Sequence, residues 1–267
     1  MKLSCSSPMV PGETLTEKAM ALREWGYDGI SVFWPLDQWN ETVRRELAQL
    51  EPRTGVTPCE FVLMDPMYGH LMDPDPTSRA ACRAMYRTAA EVCAELGMVT
   101  ELEFQYGPQD PMPLFDPYQK LTAAQLSDFV AMYRELAEPV QGTAALLLLE
   151  PLNRYESRYL NRVADCLDAL AAVDRPGTGL LFDFFHVAIE EADIAQAIRL
   201  AGNRIRHVHL ADNNRLLPGH GNIDWAGCIA ALKSVGYDGY LNLECSTSGD
   251  PATTLPATSE FLTRLTR

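Results

Sequence analysis

Short apolar runs alternate with longer stretches whose apolar residues recur every three or four positions, from one end of the chain to the other. KLSCS, DGISVFW, VTPCEFVLM, MVTELEFQYG, AALLLLE, TGLLFDFFH, IRHVHLAD and GYLNLEC read as strands. TLTEKAMALREWG, WNETVRRELAQL, DPTSRAACRAMYRTAAEVCAELG, TAAQLSDFVAMYRELAEPV, YLNRVADCLDALAAV, DIAQAIRLAG, DWAGCIAALKSVG and ATTLPATSEFLTRL read as helices, with Gly26 and Gly97 as C-terminal stops. Strict alternation predicts a parallel sheet with right-handed crossovers. Eight units within 267 residues favour a closed (β/α)8 TIM barrel, α/β in class, as a single domain over 1–267. No G-x-G-x-x-G follows the first strand, which disfavours an open dinucleotide-binding sheet. The longest irregular stretches, Asp65 to Pro76 and Gly107 to Tyr118, both follow strands and so belong at the barrel's C-terminal face.

Residues at the C-terminal ends of barrel strands meet at one mouth. The fifth strand ends at Glu150, the sixth at Asp183 with His186 three residues on, the seventh carries His207 and His209, and the eighth ends at Glu244. Their separations of 33, 26 and 35 residues each match about one strand–helix unit. A single strand-end acid is more often a helix cap or a surface group, but independent caps seldom fall on four successive strands. Three ionised carboxylates in one desolvated pocket would repel each other, and a divalent cation removes that conflict. Carboxylate oxygens with one imidazole suit manganese, magnesium or cobalt, and zinc is also compatible. Periodicity puts His207 and His209 on one face and does not choose between them.

Composition narrows the classes. The formal charge of −14 opposes a nucleic-acid surface and fits a soluble, cytoplasmic enzyme. No apolar stretch is long enough to span a membrane, and the N-terminus lacks the apolar core of a secretory signal. The seven cysteines form no C-x-x-C pair and read as reduced, buried thiols.

LLLLEPLNRYE, LLFDFFHV, HVHLADNNRLLPGHGNIDW and GYDGYLNLE resemble the sugar isomerase/epimerase-like barrels related to xylose isomerase, with the ketose 3-epimerases of the D-tagatose and D-psicose type as the nearest match. The resemblance is strongest from Ala144 to Glu244. It implies a divalent metal, manganese first, held by Glu150, Asp183, His209 and Glu244. It implies Glu150 and Glu244 as the acid/base pair, and Glu156, His186 and Arg215 as substrate-binding residues. The implied activity is an isomerase reaction: proton abstraction beside the carbonyl of an unphosphorylated ketose through a metal-held enediolate, with C3 epimerisation as the outcome. The implied partners are a small sugar and further copies of the chain, as a dimer or tetramer.

The chemistry of the residues agrees, since proton removal beside a carbonyl needs a positioned base and a charge to hold the developing oxyanion. Return of the proton to the neighbouring carbon would give aldose–ketose isomerisation, and loss of a β-substituent would give elimination. A hydroxypyruvate-type isomerase, an inosose-type dehydratase and a 3-keto-glycoside lyase are therefore alternatives on the same site. A nucleic-acid endonuclease would need more than five histidines and a basic groove. Glu156 has an ordinary alternative as a surface ion pair with Arg154 or Arg158. Trp34, Phe104, Tyr106 and Phe115 are candidates for an apolar wall against a sugar ring, with ordinary packing as the plainer role, and His220 is expected to be exposed. The third strand, running into FVLMDP, offers no residue that matches the resemblance, and the four prolines of YGPQDPMPLFDPYQK depart from it.

Overall fold

The computed structural model describes residues 1–267. In chain order the elements are β1 (Lys2–Ser6), α1 (Leu15–Glu24), β2 (Gly29–Pro35), α2 (Glu41–Ala48), α3 (Leu50–Thr54), β3 (Thr57–Met64), α4 (Pro76–Leu96), β4 (Val99–Leu102), α5 (Ala123–Leu136), β5 (Leu146–Leu149), α6 (Val163–Val173), β6 (Thr178–Asp183), α7 (Phe184–Glu190), α8 (Ile194–Ala201), β7 (Ile205–Leu210), α9 (Trp225–Ser234), β8 (Tyr240–Leu243) and α10 (Pro251–Thr266). The eight strands pair in parallel in sequence order, and β8 closes on β1.

Alternation along each strand divides the side chains into two layers. Cys5, Ile30, Phe61, Leu149, Phe182, Val208 and Leu243 join the apolar cluster that the surrounding helices complete. The intervening positions line the barrel interior, where Ser4, Ser31, Glu60, Glu101, His207 and Asn242 are buried among apolar neighbours such as Leu148 and Leu181. An interior this polar requires each group to find a partner or a ligand.

Helix starts follow local chemistry. Thr14 with Glu17, and Thr122 with Gln125, form capping boxes, while Asp75, Asp224 and Asp250 cap α4, α9 and α10.

The fifth and eighth strands each stop one residue before the expected Glu150 and Glu244, the second helix is split into α2 and α3, and two further boundaries differ more. Phe184 to His186 are helical, not the end of a strand, because the Asp183 carboxylate accepts the backbone N–H of Phe185 at 2.6 Å and starts α7. The fourth strand stops at Leu102, well short of Gly107. Its partner ends there too: the Glu150 N–H donates to the Leu102 carbonyl, and Pro151 has no N–H with which to continue the ladder.

Candidate active site

The mouth is assembled from strand ends. Asp183 is the last residue of β6, His209 the fifth of β7, and Glu150 and Glu244 stand one residue beyond β5 and β8. Ligand-type atoms of Asp183, His209 and Glu244 lie within 4.8 Å of one another, as do those of Glu150, Asp183 and His186. Glu150 joins His209 in the same way through Glu101. The strand order puts Glu150 and Glu244 on either side of Asp183 and His209. Arg215 and His186 are also at this mouth, so the structure brings together the four residues expected to hold a metal and two of the three expected to meet substrate.

The hydrogen bonds show which atoms are free. Asp183 Oδ1 caps α7, whereas its buried Oδ2 has no hydrogen-bond partner. His209 Nε2 faces the Glu60 carboxylate at 3.0 and 3.1 Å, and its buried Nδ1 is likewise unpartnered, 3.2 Å from Glu244 Oε2. A carboxylate oxygen and an imidazole nitrogen left bare in a buried pocket, with two more carboxylates beside them, form a donor set that fits a divalent cation.

Electrostatics reinforce the point. Burial raises Asp183 to about 7, against the pull of Arg215, and burial with repulsion from Glu101 pushes Glu150 well above the carboxylate range. Burial also works to raise Glu244, but His209 and Arg215 hold it at about 2. His209 is pulled down by burial and lifted further by Glu60 and Glu244, ending well above the usual imidazole value. Without a cation, protons therefore carry the positive charge that these acids require.

His186 has a defined tautomer. Two donors of Asn153 meet His186 Nδ1, the backbone N–H at 3.1 Å and the side-chain amide at 2.8 Å, and they outweigh the longer approach of Arg215 Nη1 to Nε2 at 3.3 Å, so the ring proton is on Nε2. Nε2 lies 3.8 Å from both Glu150 and Asp183, and burial together with Arg215 lowers the pKa to about 3. His186 is thus a neutral N–H donor aimed at the mouth.

Arg215 is held by its backbone and by stacking. It adopts φ of 61°, its carbonyl accepts the Ser246 N–H at 2.9 Å, and its guanidinium stacks over Phe185 at 4.5 Å. Its guanidinium reaches Glu244 Oε2 at 3.1 Å. The turn carrying it is organised by the buried Asp212 carboxylate, which accepts the backbone N–H groups of Asn213, Gly219 and Ile223 and the Trp225 indole N–H. Position 221 must be glycine because a Cβ would fall 2.2 Å from Asp212 Oδ1.

Glu156 takes neither of the ion pairs considered for it. Its carboxylate accepts the Asn153 amide at 2.9 Å. Arg154 instead grips the buried Glu190 at the end of α7 through its backbone N–H and guanidinium, and Arg158 donates to the carbonyls of Asp110 and Pro111.

Of the expected aromatic wall, Phe115 is 99% exposed and so walls nothing. Phe104 is buried against Phe129 and Tyr159 and lines the same cavity as Tyr106, and Trp34 packs partly buried against the core. Tyr106, half-exposed, lines a polar cavity of about 590 Å³ with Asp73, Gln105, Gln109, Asp110 and Arg158. That cavity borders the Glu156 segment, whose carbonyl accepts from Gly107 and Gln109. A smaller cleft of about 240 Å³ opens directly beside the candidate ligands, between Ser6, Met9, Phe33, Arg215 and Glu244. His220 is exposed, as expected.

Three carboxylates at this mouth were not singled out from the sequence: Glu60 on β3, and Glu101 and Glu103 on and just after β4, all buried. Burial and repulsion from Glu60 raise Glu101 to about 8, and it accepts a hydrogen bond from Tyr68. A signal was present. Parallel barrel strands are buried on both faces, so a glutamate inside VTPCEFVLM, or two alternating in TELEF, faces the interior.

Residues 20–265 match the xylose isomerase-like TIM barrel family. The chain belongs to that family. Within it, the chain is 28% identical to a probable ketose 3-epimerase of Synechocystis sp. over 226 residues, 83% of this chain and 75% of that one. It is 38% identical to the D-psicose 3-epimerase of Enterocloster bolteae over 111 residues, which cover 42% of this chain and only 37% of the relative. The fold superimposes on the E. coli 3-keto-D-glucoside 4-epimerase with a TM-score of 0.84, at 24% identity and covering 99% of both chains. An L-ribulose 3-epimerase gives a TM-score of 0.85 at 23% identity, covering 99% of this chain and 94% of that one.

Proposed function

We propose that this protein is a divalent-metal-dependent sugar epimerase that inverts C3 of an unphosphorylated ketose. The observation that carries the reading is the pair of buried, unpartnered atoms, Asp183 Oδ2 and His209 Nδ1, at a mouth shared with Glu150 and Glu244. Glu150, Asp183, His209 and Glu244 would hold the ion, manganese first. Once bound, it would supply the positive charge that favours an oxyanion at the substrate.

The remaining chemistry belongs to the chain. Glu150 and Glu244, which flank Asp183 and His209 at the mouth, act as the base that removes the C3 proton and the acid that returns one to the other face. The Nε2–H of His186 donates to the substrate's carbonyl oxygen, and Arg215 donates to an adjacent oxygen. Glu156, fixed by Asn153, accepts from a hydroxyl further along the sugar. These donors are oriented before the substrate arrives, so little reorganisation opposes the reaction.

The direct test is proton–deuterium exchange at C3 of candidate ketoses in D2O, with metal-stripped and manganese-loaded protein. Exchange that appears only with the ion supports the reading; exchange at the same rate in stripped protein rejects it.

One observation favours a second reading. The polar cavity beside the Glu156 segment has room for a further sugar ring, and the E. coli 3-dehydro-D-guloside 4-epimerase is 35% identical over 111 residues. On that reading the same acid/base pair would invert the carbon beside a 3-ketone of a glycoside. Turnover of a keto-glycoside with none of the free ketoses would select it.

A further inference from the structure

We infer that Glu60 is a positioning residue that sets the affinity of the candidate metal centre by locking the orientation and protonation of His209. The inference rests on the metal-binding reading of the site. Glu60 is the fourth residue of β3 and is fully buried, on the opposite side of the barrel from β7. Three side chains converge on its carboxylate. Ser31 on the neighbouring β2 donates to Oε2, His209 Nε2 lies 3.0 Å from Oε2 and 3.1 Å from Oε1, and His207 Nε2 lies 3.5 Å from Oε2.

A carboxylate only accepts, so the proton between Glu60 and His209 is carried on Nε2. In the neutral ring that a cation requires, this assignment leaves the lone pair on Nδ1, which faces the mouth 3.2 Å from Glu244. Without Glu60, the ring could protonate on Nδ1, or flip, and present no lone pair to a cation. A carboxylate behind a ligating imidazole also makes it a stronger donor. Ser31 keeps the carboxylate turned toward the ring, and the register break between Ile30 and Ser31 sets that serine opposite Glu60.

The test is Mn2+ binding by equilibrium dialysis on chelator-stripped full-length wild type and Glu60→Gln, alongside imidazole 15N spectra of the Mg2+-loaded proteins. The substitution keeps the side chain's size but puts an amide N–H against one imidazole. Wild type is expected to bind one ion per chain with His209 protonated at Nε2. Glu60→Gln is expected to bind about 10–100-fold more weakly and to lose that 15N signature. Equal affinity in the two proteins would overturn the inference and leave the metal site standing. Two ions per wild-type chain would also overturn it, because Glu60, His207 and His209 would then be ligands themselves. A wild type that binds no ion would instead reject the functional reading. If Glu60→Gln does not fold, Ser31→Ala carries the test: a several-fold loss of affinity is expected, and unchanged affinity with an unchanged His209 signal overturns the inference.

Discussion

The two halves of the barrel mouth are built differently. From β5 to β8, polar groups stand at strand ends, and two of them, Asp183 and His209, present bare atoms to the pocket. From β1 to β4, Glu60 and Glu101 lie inside their strands and bond to other side chains, Ser31, His209 and Tyr68, while Glu103, just past β4, keeps one buried oxygen unpartnered. One half offers ligands and donors; the other holds those groups in position and sets their charge. An acid within a parallel barrel strand therefore implies a side-chain partner inside the fold, whereas an acid at a strand end can serve a ligand.

The sharpest way to break this contrast is to remove the proposed acid/base groups. Glu150→Gln and Glu244→Gln are each expected to lower kcat for the best substrate by about 10³-fold, within the range for a positioned proton-transfer group. Steady-state kinetics with C3 exchange measures it, and a loss below tenfold in either would remove that residue from the chemistry. Next comes the scaffold of the same half. Asp212→Ala strips four donors of their shared acceptor and should cost about 3 kcal/mol of stability, read by denaturant unfolding, with a higher KM as Arg215 loses its turn.

The opposite half gives a smaller effect with a distinctive sign. Burial and Glu60 raise Glu101 to about 8 in the folded protein, above an unfolded value of about 4.3. The folded state then binds the extra proton, so its stability falls as pH rises between those values and levels off above the upper one. In metal-free protein, Glu101→Gln should therefore raise Tm relative to wild type by more at pH 8.5 than at pH 5, by a few degrees. Thermal melts at both pH values decide it, and a lower Tm at pH 8.5 would show that Glu101 is stabilised as an anion. The smallest effect is expected at Phe115, whose ring is 99% exposed. Phe115→Ser should shift stability by less than about 0.5 kcal/mol and leave KM unchanged. A tenfold rise in KM would put this ring over the substrate after all.

Much of this was legible in the sequence. LLLLE showed a buried strand delivering a carboxylate, and the spacing from Glu150 through Asp183 and His209 to Glu244 marked successive barrel units. The role of Asp212 in folding the turn around Arg215 left no mark in the local pattern. Asp183 resolves a choice that looked exclusive, between helix cap and functional acid. One oxygen starts α7 and the other is free. The end of the sixth strand at Asp183 is where the sequence placed the functional acid, but Phe184 to His186 continue the β pattern in TGLLFDFFH, and only the cap marks the change to helix. Phe115 looked like a pocket residue because its exposure is not written in local sequence.

What the chain determined alone was therefore periodic and local: eight alternating units, the strand ends, the caps, and the residue types available at the mouth. What only the tertiary structure decided was pairing across the interior. Glu60 and His209 are 149 residues apart, and nothing near either one announces the other. Their contact follows from barrel closure and strand register, which turn alternate side chains inward and set which of them meet across the axis.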